Sequence, residues 1–273
     1  MEHLKVDGTV IEYQVQGDGE PVFLIHPSII ADGLDRPLLA QTELASRYQL
    51  IHYHRRGWMG STLGPDPLTI ALLASDAAAL MRHLGVSTAH VAGHSIGGLI
   101  ALQLALDAPE LVHSIALLEP PLRMAPSGKE SFERVNLPML NAYRSGNKRQ
   151  ALDIFADAVF GPNWQSVVEQ AVPGGVEQAV KDVDTFIREQ PMIGEYQFGP
   201  KEAAAIHQPV LSVLGLRSNQ FMKEGRQLLH SWIPQTEDLD VNSTHLLQMQ
   251  DPKGIARGLA ESFARHPIMS NSM

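Results

Sequence analysis

The chain has 273 residues, of which 44% are hydrophobic and 19% are charged, and this balance excludes a mostly disordered protein. Lys and Arg number 21 against 30 Asp and Glu, for a formal net charge of −9, so general nucleic-acid binding is not expected. The absence of cysteine excludes disulfides, cysteine-based zinc sites and a cysteine nucleophile. The N-terminus does not resemble a signal peptide, and no apolar run is long enough to cross a bilayer, so we expect a cytoplasmic protein without membrane contact.

The first part of the chain alternates between two kinds of pattern. Short apolar or alternating runs predict strands at 9–16, 22–25, 49–54, 89–92 and 112–118. Helical periodicity predicts helices at 68–84 and 97–108. After an interruption the alternation returns, with strands at 209–214 and 237–241 and helices at 221–231 and 251–265. This order predicts an α/β fold with a mostly parallel sheet flanked by helices.

The interruption, residues 122–207, shows helical patterns and no clear strand. Its best predicted helices are 151–159 and 177–189. We therefore predict a core made of residues 1–121 and 208–273, with a helical cap at 122–207. Residues 270–273 at the C-terminus are expected to fray.

The strongest local motif is Gly93-His94-Ser95-Ile96-Gly97, which fits G-x-S-x-G between a predicted strand and a predicted helix. In that setting a sharp turn presents the serine at its tip, and the glycines allow a close approach of the backbone. The N-terminus of the following helix favours negative charge near Ser95. A glycine-rich turn without chemistry is the alternative, but the strand–turn–helix context favours Ser95 as a nucleophile.

A serine nucleophile needs a base. Among 12 histidines, His245 is distinguished by its position between the last predicted strand and the last helix. The histidines His26, His52 and His54 end other strands, where packing or hydrogen bonding is the simpler interpretation. His94 is expected to pack behind the nucleophile. We therefore predict that His245 is the base.

Together these features resemble the α/β-hydrolase fold family, from about residue 9 to residue 265. The resemblance rests on Leu24-Ile25-His26 at the end of an early strand, Arg56-Gly57 after the next strand, the serine motif and His245. In that family the nucleophile, the acid and the histidine occur in this chain order. The resemblance implies an α/β-hydrolase core with a helical cap.

The acid departs from the usual family pattern. It normally follows the strand predicted here at 209–214, but this chain has Ser218 where an aspartate is expected. Glu119 instead ends the strand after the nucleophile's helix, the place used by haloalkane dehalogenases and zearalenone-lactone hydrolases. We predict Glu119 as the acid, with Asp238 or Asp240 on the adjoining strand as the alternative.

The resemblance also implies an oxyanion hole built from backbone N–H groups. Where many members have His-Gly, this chain has His26-Pro27-Ser28, and Pro27 has no N–H to donate. We predict the N–H groups of Ser28 and Ile96 as the donors. The Ser28 hydroxyl is either a further donor or the cap of a turn.

Substrate contacts are expected from loops beside the site and from apolar residues of the cap, and these residues indicate a hydrophobic substrate of moderate size. The candidates are Ile29, Trp58, Met124, Phe155, Phe160, Trp164, Met192 and Leu246.

A serine nucleophile suits acyl transfer, whereas dehalogenases and epoxide hydrolases with the same late acid use aspartate. The layout of Ser95, Glu119 and His245 is most similar to that of the zearalenone-lactone hydrolases, which implies that an ester or lactone is hydrolysed through an acyl-enzyme. A C–C bond or other acyl hydrolase, a non-catalytic small-molecule-binding member and a cofactor-free oxygenase are the alternatives. We see no metal motif and no phosphate-binding glycine loop, so no cofactor is expected. The expected partner is a small-molecule substrate, and a homo-oligomer is left open.

Overall fold

The computed structural model describes residues 1–269, so residues 270–273, for which fraying is predicted, lie outside the described part. Eight strands form one sheet in the order β1-β2-β4-β3-β5-β6-β7-β8. The strands are β1 (Glu2–Val6), β2 (Thr9–Gln16), β3 (Glu20–Ile25), β4 (Tyr48–His54), β5 (Ala89–His94), β6 (Val112–Leu118), β7 (Val210–Gly215) and β8 (Thr236–Val241).

The sheet is mostly parallel. Only the pairings of β1 with β2 and of β2 with β4 are antiparallel, and β3 to β8 pair in parallel. The predicted α/β-hydrolase fold class is therefore confirmed. The edge strand β1 is not predicted from the sequence, because its apolar alternation is limited to Leu4 and Val6 and its other side chains are exposed.

Helices cover both faces of the sheet and fill the segment between β6 and β7. They are α1 (Asp35–Leu39), α2 (Thr42–Ala45), α3 (Ile70–His83), α4 (Ile96–Asp107), α5 (Gly128–Ser131), α6 (Leu137–Arg144), α7 (Lys148–Phe160), α8 (Trp164–Ala171), α9 (Gly175–Lys181), α10 (Val183–Glu195), α11 (Pro200–Ala203), α12 (Gln220–Trp232), α13 (Leu247–Gln250) and α14 (Pro252–Arg265). A π-helical turn, Phe132–Asn136, joins α5 to α6. Within residues 1–269, none of these helices has both the length and the apolar character to cross a bilayer.

Alternate side chains of the central strands enter two apolar layers. In β3, Phe23 and Ile25 pack with residues of α3 and α4, whereas Val22 and Leu24 pack with residues of α1, α2 and α14. Strands buried on both faces explain the nearly continuous apolar runs in the sequence.

Residues 122–207, here called the cap segment, contain α5 to α11 and no strand. Their apolar residues form a third cluster that also includes Ile29, Trp58 and Leu246 from outside the segment. The single predicted helix at 177–189 is wrong. It is divided into α9 and α10 at Asp182, whose side chain accepts a hydrogen bond from Gln178 Nε2 at 2.9 Å. Aspartate has a lower helix propensity than the neighbouring residues Ala179 and Lys181, which is consistent with an interruption at this position.

The turn between β5 and α4 lies closer to the sheet than a side chain would allow. A Cβ atom on Gly97 would lie 2.1 Å from the Ile25 carbonyl oxygen, and one on Gly93 would lie 2.2 Å from the Gly97 carbonyl oxygen. Both obstacles are backbone atoms, which cannot rotate away. The glycines therefore set the depth at which Ser95 lies against β3.

We expect Gly97→Ala to lower the free energy of unfolding by more than about 2 kcal/mol, because the added methyl overpacks the contact with β3. Gly225→Ala is the matched control in another helix, since its Cβ would meet only the Pro120 carbonyl oxygen at 3.6 Å. That control should be neutral or stabilising by up to about 1 kcal/mol. Urea unfolding of both variants measures the difference, and equal stability of the two would contradict this account of the turn.

Candidate active site

The carboxyl ends of the parallel strands bring the predicted site residues to one edge of the sheet. Ser28 follows β3, Ser95 follows β5, Glu119 follows β6, and His245 lies in the loop after β8. Ser28, Ser95 and His245 line the same cavity, which encloses about 1080 Å³ including the open space at its mouth. The cap segment forms much of the wall opposite them.

Ser95 occupies a strained turn. Its φ of 54° is in the left-handed region, and its N–H donates to the Leu118 carbonyl oxygen at 2.8 Å. Two neighbours of the cavity share this unusual backbone: Ile29 has φ 76° and Glu119 has φ 50°. Non-glycine residues seldom adopt such angles, and they concentrate at functional sites. Ser95 is half-buried, so its side chain remains accessible from the cavity.

Glu119 and His245 form a buried hydrogen bond. His245 Nδ1 donates to Glu119 Oε2 at 2.5 Å, and the two residues are only 2% and 3% exposed, respectively. The second carboxylate oxygen, Oε1, accepts the N–H of Gly215 at 2.8 Å. Both oxygens of Glu119 are thus held, one by the histidine and one by the end of β7. The arrangement fixes the histidine ring and leaves Nε2 as the nitrogen that can accept a proton.

The alternative orienting groups lie elsewhere. Ser218 is buried, and its hydroxyl has no hydrogen-bond partner within residues 1–269. Asp240 pairs with Arg226, and Asp238 contacts His230 Nε2 at 3.0 Å. Neither aspartate is bonded to His245.

His94 lies behind His245. Its Nε2 donates to the His245 carbonyl oxygen at 3.0 Å, and its Nδ1 accepts from Gln248 Nε2 at 3.2 Å. Burial lowers the pKa of His94 well below its ordinary value, and the neighbouring His245 acts in the same direction. His94 is therefore a neutral packing residue beside the site. On the cavity side, the ring of Phe160 lies parallel to that of His245, with 6.0 Å between their centroids.

The other strand-end histidines are buried and bonded away from Ser95. His54 lies between Glu12 and Asp32, at 2.6 and 2.8 Å, and His52 contacts Asp35 at 2.8 Å. His26 accepts the backbone N–H of Arg55 at 2.9 Å.

The predicted oxyanion donors are the backbone N–H groups of Ser28, in the loop after β3, and of Ile96, directly after Ser95. Within residues 1–269 the Ser28 N–H has no hydrogen-bond partner, and Ile96 is the first residue of α4, where an N–H lacks an intrahelical acceptor. The Ser28 hydroxyl donates to Glu189 of α10, so it neither caps a turn nor supplies a further proton to the cavity.

The structure separates the predicted substrate-contacting residues into two groups. Those that line the cavity are Phe155, Phe160 and Leu246. Those outside its wall are Ile29, Trp58, Met124, Trp164 and Met192. Their environments give the reasons: the two tryptophans and Met192 are buried in apolar clusters, Ile29 borders a separate cleft, and Met124 is 58% exposed on the outer surface.

Other cavity residues are not predicted from the sequence. Phe186 and Phe221 add aromatic surface, and Asn136 and Gln190 form a polar pair joined by a 2.9 Å hydrogen bond. The lining residues include the cationic Arg123 and no carboxylate. In the part of the chain that the structure describes, no cluster of three His, Asp or Glu side chains is arranged to hold a metal ion.

Comparison with known proteins identifies the family. Residues 21–252 match the model of the alpha/beta hydrolase fold family, and the chain therefore belongs to that family. A protein of Azorhizobium caulinodans named "Putative carbamate hydrolase RutD" is 39% identical over 106 residues, which are 39% of this chain and 39% of that protein. The match thus spans well under half of that relative's length.

Two solved structures resemble the whole chain. The enol-lactonase from Burkholderia xenovorans LB400 superimposes with a TM-score of 0.80 at 19% identity, covering 96% of this chain and 100% of that one. The N-acyl homoserine lactone degrading enzyme Est816 gives a TM-score of 0.73 at 22% identity, with 96% and 100% coverage. At these identities the likeness establishes a shared fold.

We expect Glu119→Gln to slow the reaction of Ser95 with a fluorophosphonate probe by about 10² or more, because an amide cannot stabilise the protonated imidazole. Ser218→Ala is the control at the usual acid position and should change the rate less than twofold. The labelling rate at fixed probe concentration measures both. A slow Ser218→Ala variant beside a normal Glu119→Gln variant would contradict the assignment.

Proposed function

We propose that this protein is a serine hydrolase that cleaves a carboxylic ester or lactone of a small, mainly hydrophobic molecule through an acyl-enzyme. The observation that carries the proposal is the buried hydrogen bond between His245 Nδ1 and Glu119 Oε2, beside a cavity onto which Ser95 opens. A serine, a base and a group that orients the base are the parts needed to make a hydroxyl nucleophilic.

In the first half of the reaction, Ser95 Oγ attacks the substrate carbonyl carbon while His245 Nε2 takes its proton. Glu119 holds the ring and stabilises the resulting imidazolium. The N–H groups of Ser28 and Ile96 bind the negative oxygen of the tetrahedral intermediate. His245 then gives the proton to the leaving oxygen, which departs as an alcohol or, from a lactone, stays attached as a hydroxyl.

In the second half, His245 deprotonates a water molecule that attacks the acyl carbon, and the proton returns to Ser95 Oγ as the acid leaves. One acyl–oxygen bond and one water are consumed, and one acid and one alcohol are formed. A serine at this position favours acyl transfer over the displacement chemistry of an aspartate nucleophile.

The nature of the cavity supports a hydrophobic substrate. Phe155, Phe160 and Phe186 of the cap segment face the cavity together with Phe221 and Leu246. Apolar walls with a few polar groups are typical of small-molecule sites. The names of the two structural relatives, an enol-lactonase and an N-acyl homoserine lactone degrading enzyme, support lactones as one substrate type. The triad layout, which resembles that of zearalenone-lactone hydrolases, supports the same type.

Ser95→Ala should abolish hydrolysis of p-nitrophenyl esters and of lactones while the fold is retained. Loss of a triad nucleophile costs about 10⁶ in kcat in serine proteases and leaves only binding and oxyanion effects. The measurement is initial rates together with circular dichroism. Activity close to that of the wild type, in protein freed of contaminating esterases, would overturn the proposal.

Phe160→Ala should change the ratio of kcat/KM between long-chain and short-chain esters several-fold, because Phe160 forms part of the cavity wall. One methylene in an apolar pocket is worth about 1–3 kcal/mol, so the preference should be graded along the series. The ratio cancels any equal effect on all esters from the lost contact with His245. Met192→Ala, outside the wall, is the control and should leave the ratio unchanged. An equal response of the ratio in both variants would contradict this view of the cavity.

A further inference from the structure

A buried ion pair joins the cap segment to the core behind the Ser28 loop. Glu189 of α10 and Arg55, which follows β4, are both completely buried. Arg55 Nη1 is paired with Glu189 Oε1, and Arg55 Nη2 donates to Oε2 at 3.4 Å. A charge removed from water needs partners of this kind.

Glu189 also accepts hydrogen bonds from Trp58 and from Ser28, and Ser28 lines the cavity. Trp58 Nε1 donates to Glu189 Oε1 at 2.8 Å, and the Ser28 hydroxyl donates to Oε2. Each carboxylate oxygen therefore has two donors. The single hydroxyl proton of Ser28 is committed to the carboxylate, and only the backbone N–H of Ser28 is left to face a substrate carbonyl.

Arg55 holds the residues just before Ser28. Its Nη2 donates to the Pro27 carbonyl oxygen at 3.1 Å, and its Nε donates to the His26 carbonyl oxygen at 3.3 Å. The ring of His26 is fixed as well, since Nδ1 contacts the Pro27 oxygen at 2.6 Å and Nε2 accepts the Arg55 N–H at 2.9 Å. Burial lowers the pKa of His26 well below its ordinary value, and the Arg55 charge acts in the same direction, so His26 is neutral.

The loop that contains Ser28 needs these contacts to keep its conformation. Pro27 supplies no N–H, so Ser28 is the first residue after His26 that can donate to an oxyanion. The next residue, Ile29, has a left-handed backbone with φ 76°, which a β-branched residue adopts only when its surroundings enforce it. The loop therefore depends on outside contacts for its conformation.

We infer that Glu189 is a positioning residue of the oxyanion hole: it binds the Ser28 hydroxyl and thereby orients the Ser28 N–H, while Arg55 and Trp58 hold Glu189 in place. The inference rests on the proposed function, because it assigns Glu189 to the same acyl-transfer site. A residue of the cap segment would then affect the rate of the chemical step, in addition to any role of that segment in substrate binding.

The test compares Ser28→Ala, Glu189→Gln and the double variant. Ser28→Ala keeps the Ser28 backbone N–H and the Arg55–Glu189 ion pair. It removes only the hydrogen bond between the Ser28 hydroxyl and Glu189. Asp76→Asn is the matched control, because it breaks another buried ion pair, in which Arg56 Nε and Asp76 Oδ2 lie 2.5 Å apart. The readouts are Tm, kcat and KM for a p-nitrophenyl ester, and the rate constant for labelling of Ser95 by a fluorophosphonate, whose phosphoryl oxygen gains negative charge as Ser95 attacks phosphorus and so also needs the oxyanion hole.

Ser28→Ala should lower kcat and the labelling rate about tenfold or more, with KM changed less than twofold, because a misplaced donor weakens binding of the transition state and not of the substrate. Glu189→Gln should do the same, and in the Ser28→Ala background it should change kcat less than twofold further. Asp76→Asn should lower Tm. Its kcat, calculated from the concentration of active sites that the fluorophosphonate titrates, should be unchanged.

Three results would overturn the inference. The first is a Ser28→Ala variant with wild-type kcat and labelling rate, a result that stands even if Glu189→Gln fails to fold. The second is a full additional loss of kcat from Glu189→Gln in the Ser28→Ala background. The third is an Asp76→Asn variant that loses kcat to the same extent. If the wild-type protein neither hydrolyses esters nor reacts with the probe, the proposed function itself fails and the assignment of Glu189 falls with it.

Discussion

The hydrogen bond between Glu119 and His245 ties together residues 126 positions apart in the chain, and the proposed chemistry depends on it. It forms because β6, β7 and β8 are parallel neighbours whose ends meet at one edge of the sheet. The end of β7 takes part through the Gly215 N–H, which binds the other oxygen of Glu119. Gly215 ends the strand after which this family usually places its acid, and here it binds the proposed acid Glu119, which follows β6.

Two consecutive arginines after β4 each form a buried ion pair with a different part of the structure. Arg56 pairs with Asp76 of α3 inside the core, whereas Arg55 pairs with Glu189 of the cap segment. Removal of one partner from such a pair leaves a buried charge unbalanced. Separation of α10 from the core would leave the buried charge of Arg55 without its partner Glu189. We therefore expect this part of the cap segment to stay in contact with the core while substrate enters by another part of the cavity.

Local patterns predict most of the sheet and Ser95 as a candidate, because strand periodicity and the glycine turn are properties of short segments. His245 is predicted from its place after the last strand, and Glu119 from the resemblance to families with an acid at this strand end. The sequence does not predict the break at Asp182, because helix propensity on either side of it is good. Glu189 has no sequence signal: it lies in a helix of mixed polarity, and only tertiary contacts show that it is buried. Trp58 is predicted to contact substrate from its place in the loop after His54, and Met192 from its apolar character in the cap. Neither signal distinguishes a cavity wall from the interior beside it.

The most direct test of the central claim is to trap the acyl-enzyme. The protein is mixed with an excess of a p-nitrophenyl ester, quenched in acid within milliseconds, digested and analysed by mass spectrometry. The account predicts a mass increase equal to the acyl group on the peptide that contains Ser95, localised to that serine by fragmentation, with an initial burst of p-nitrophenol. Rapid hydrolysis with the acyl group on another residue, or with no burst and no adduct at any quench time, would contradict it.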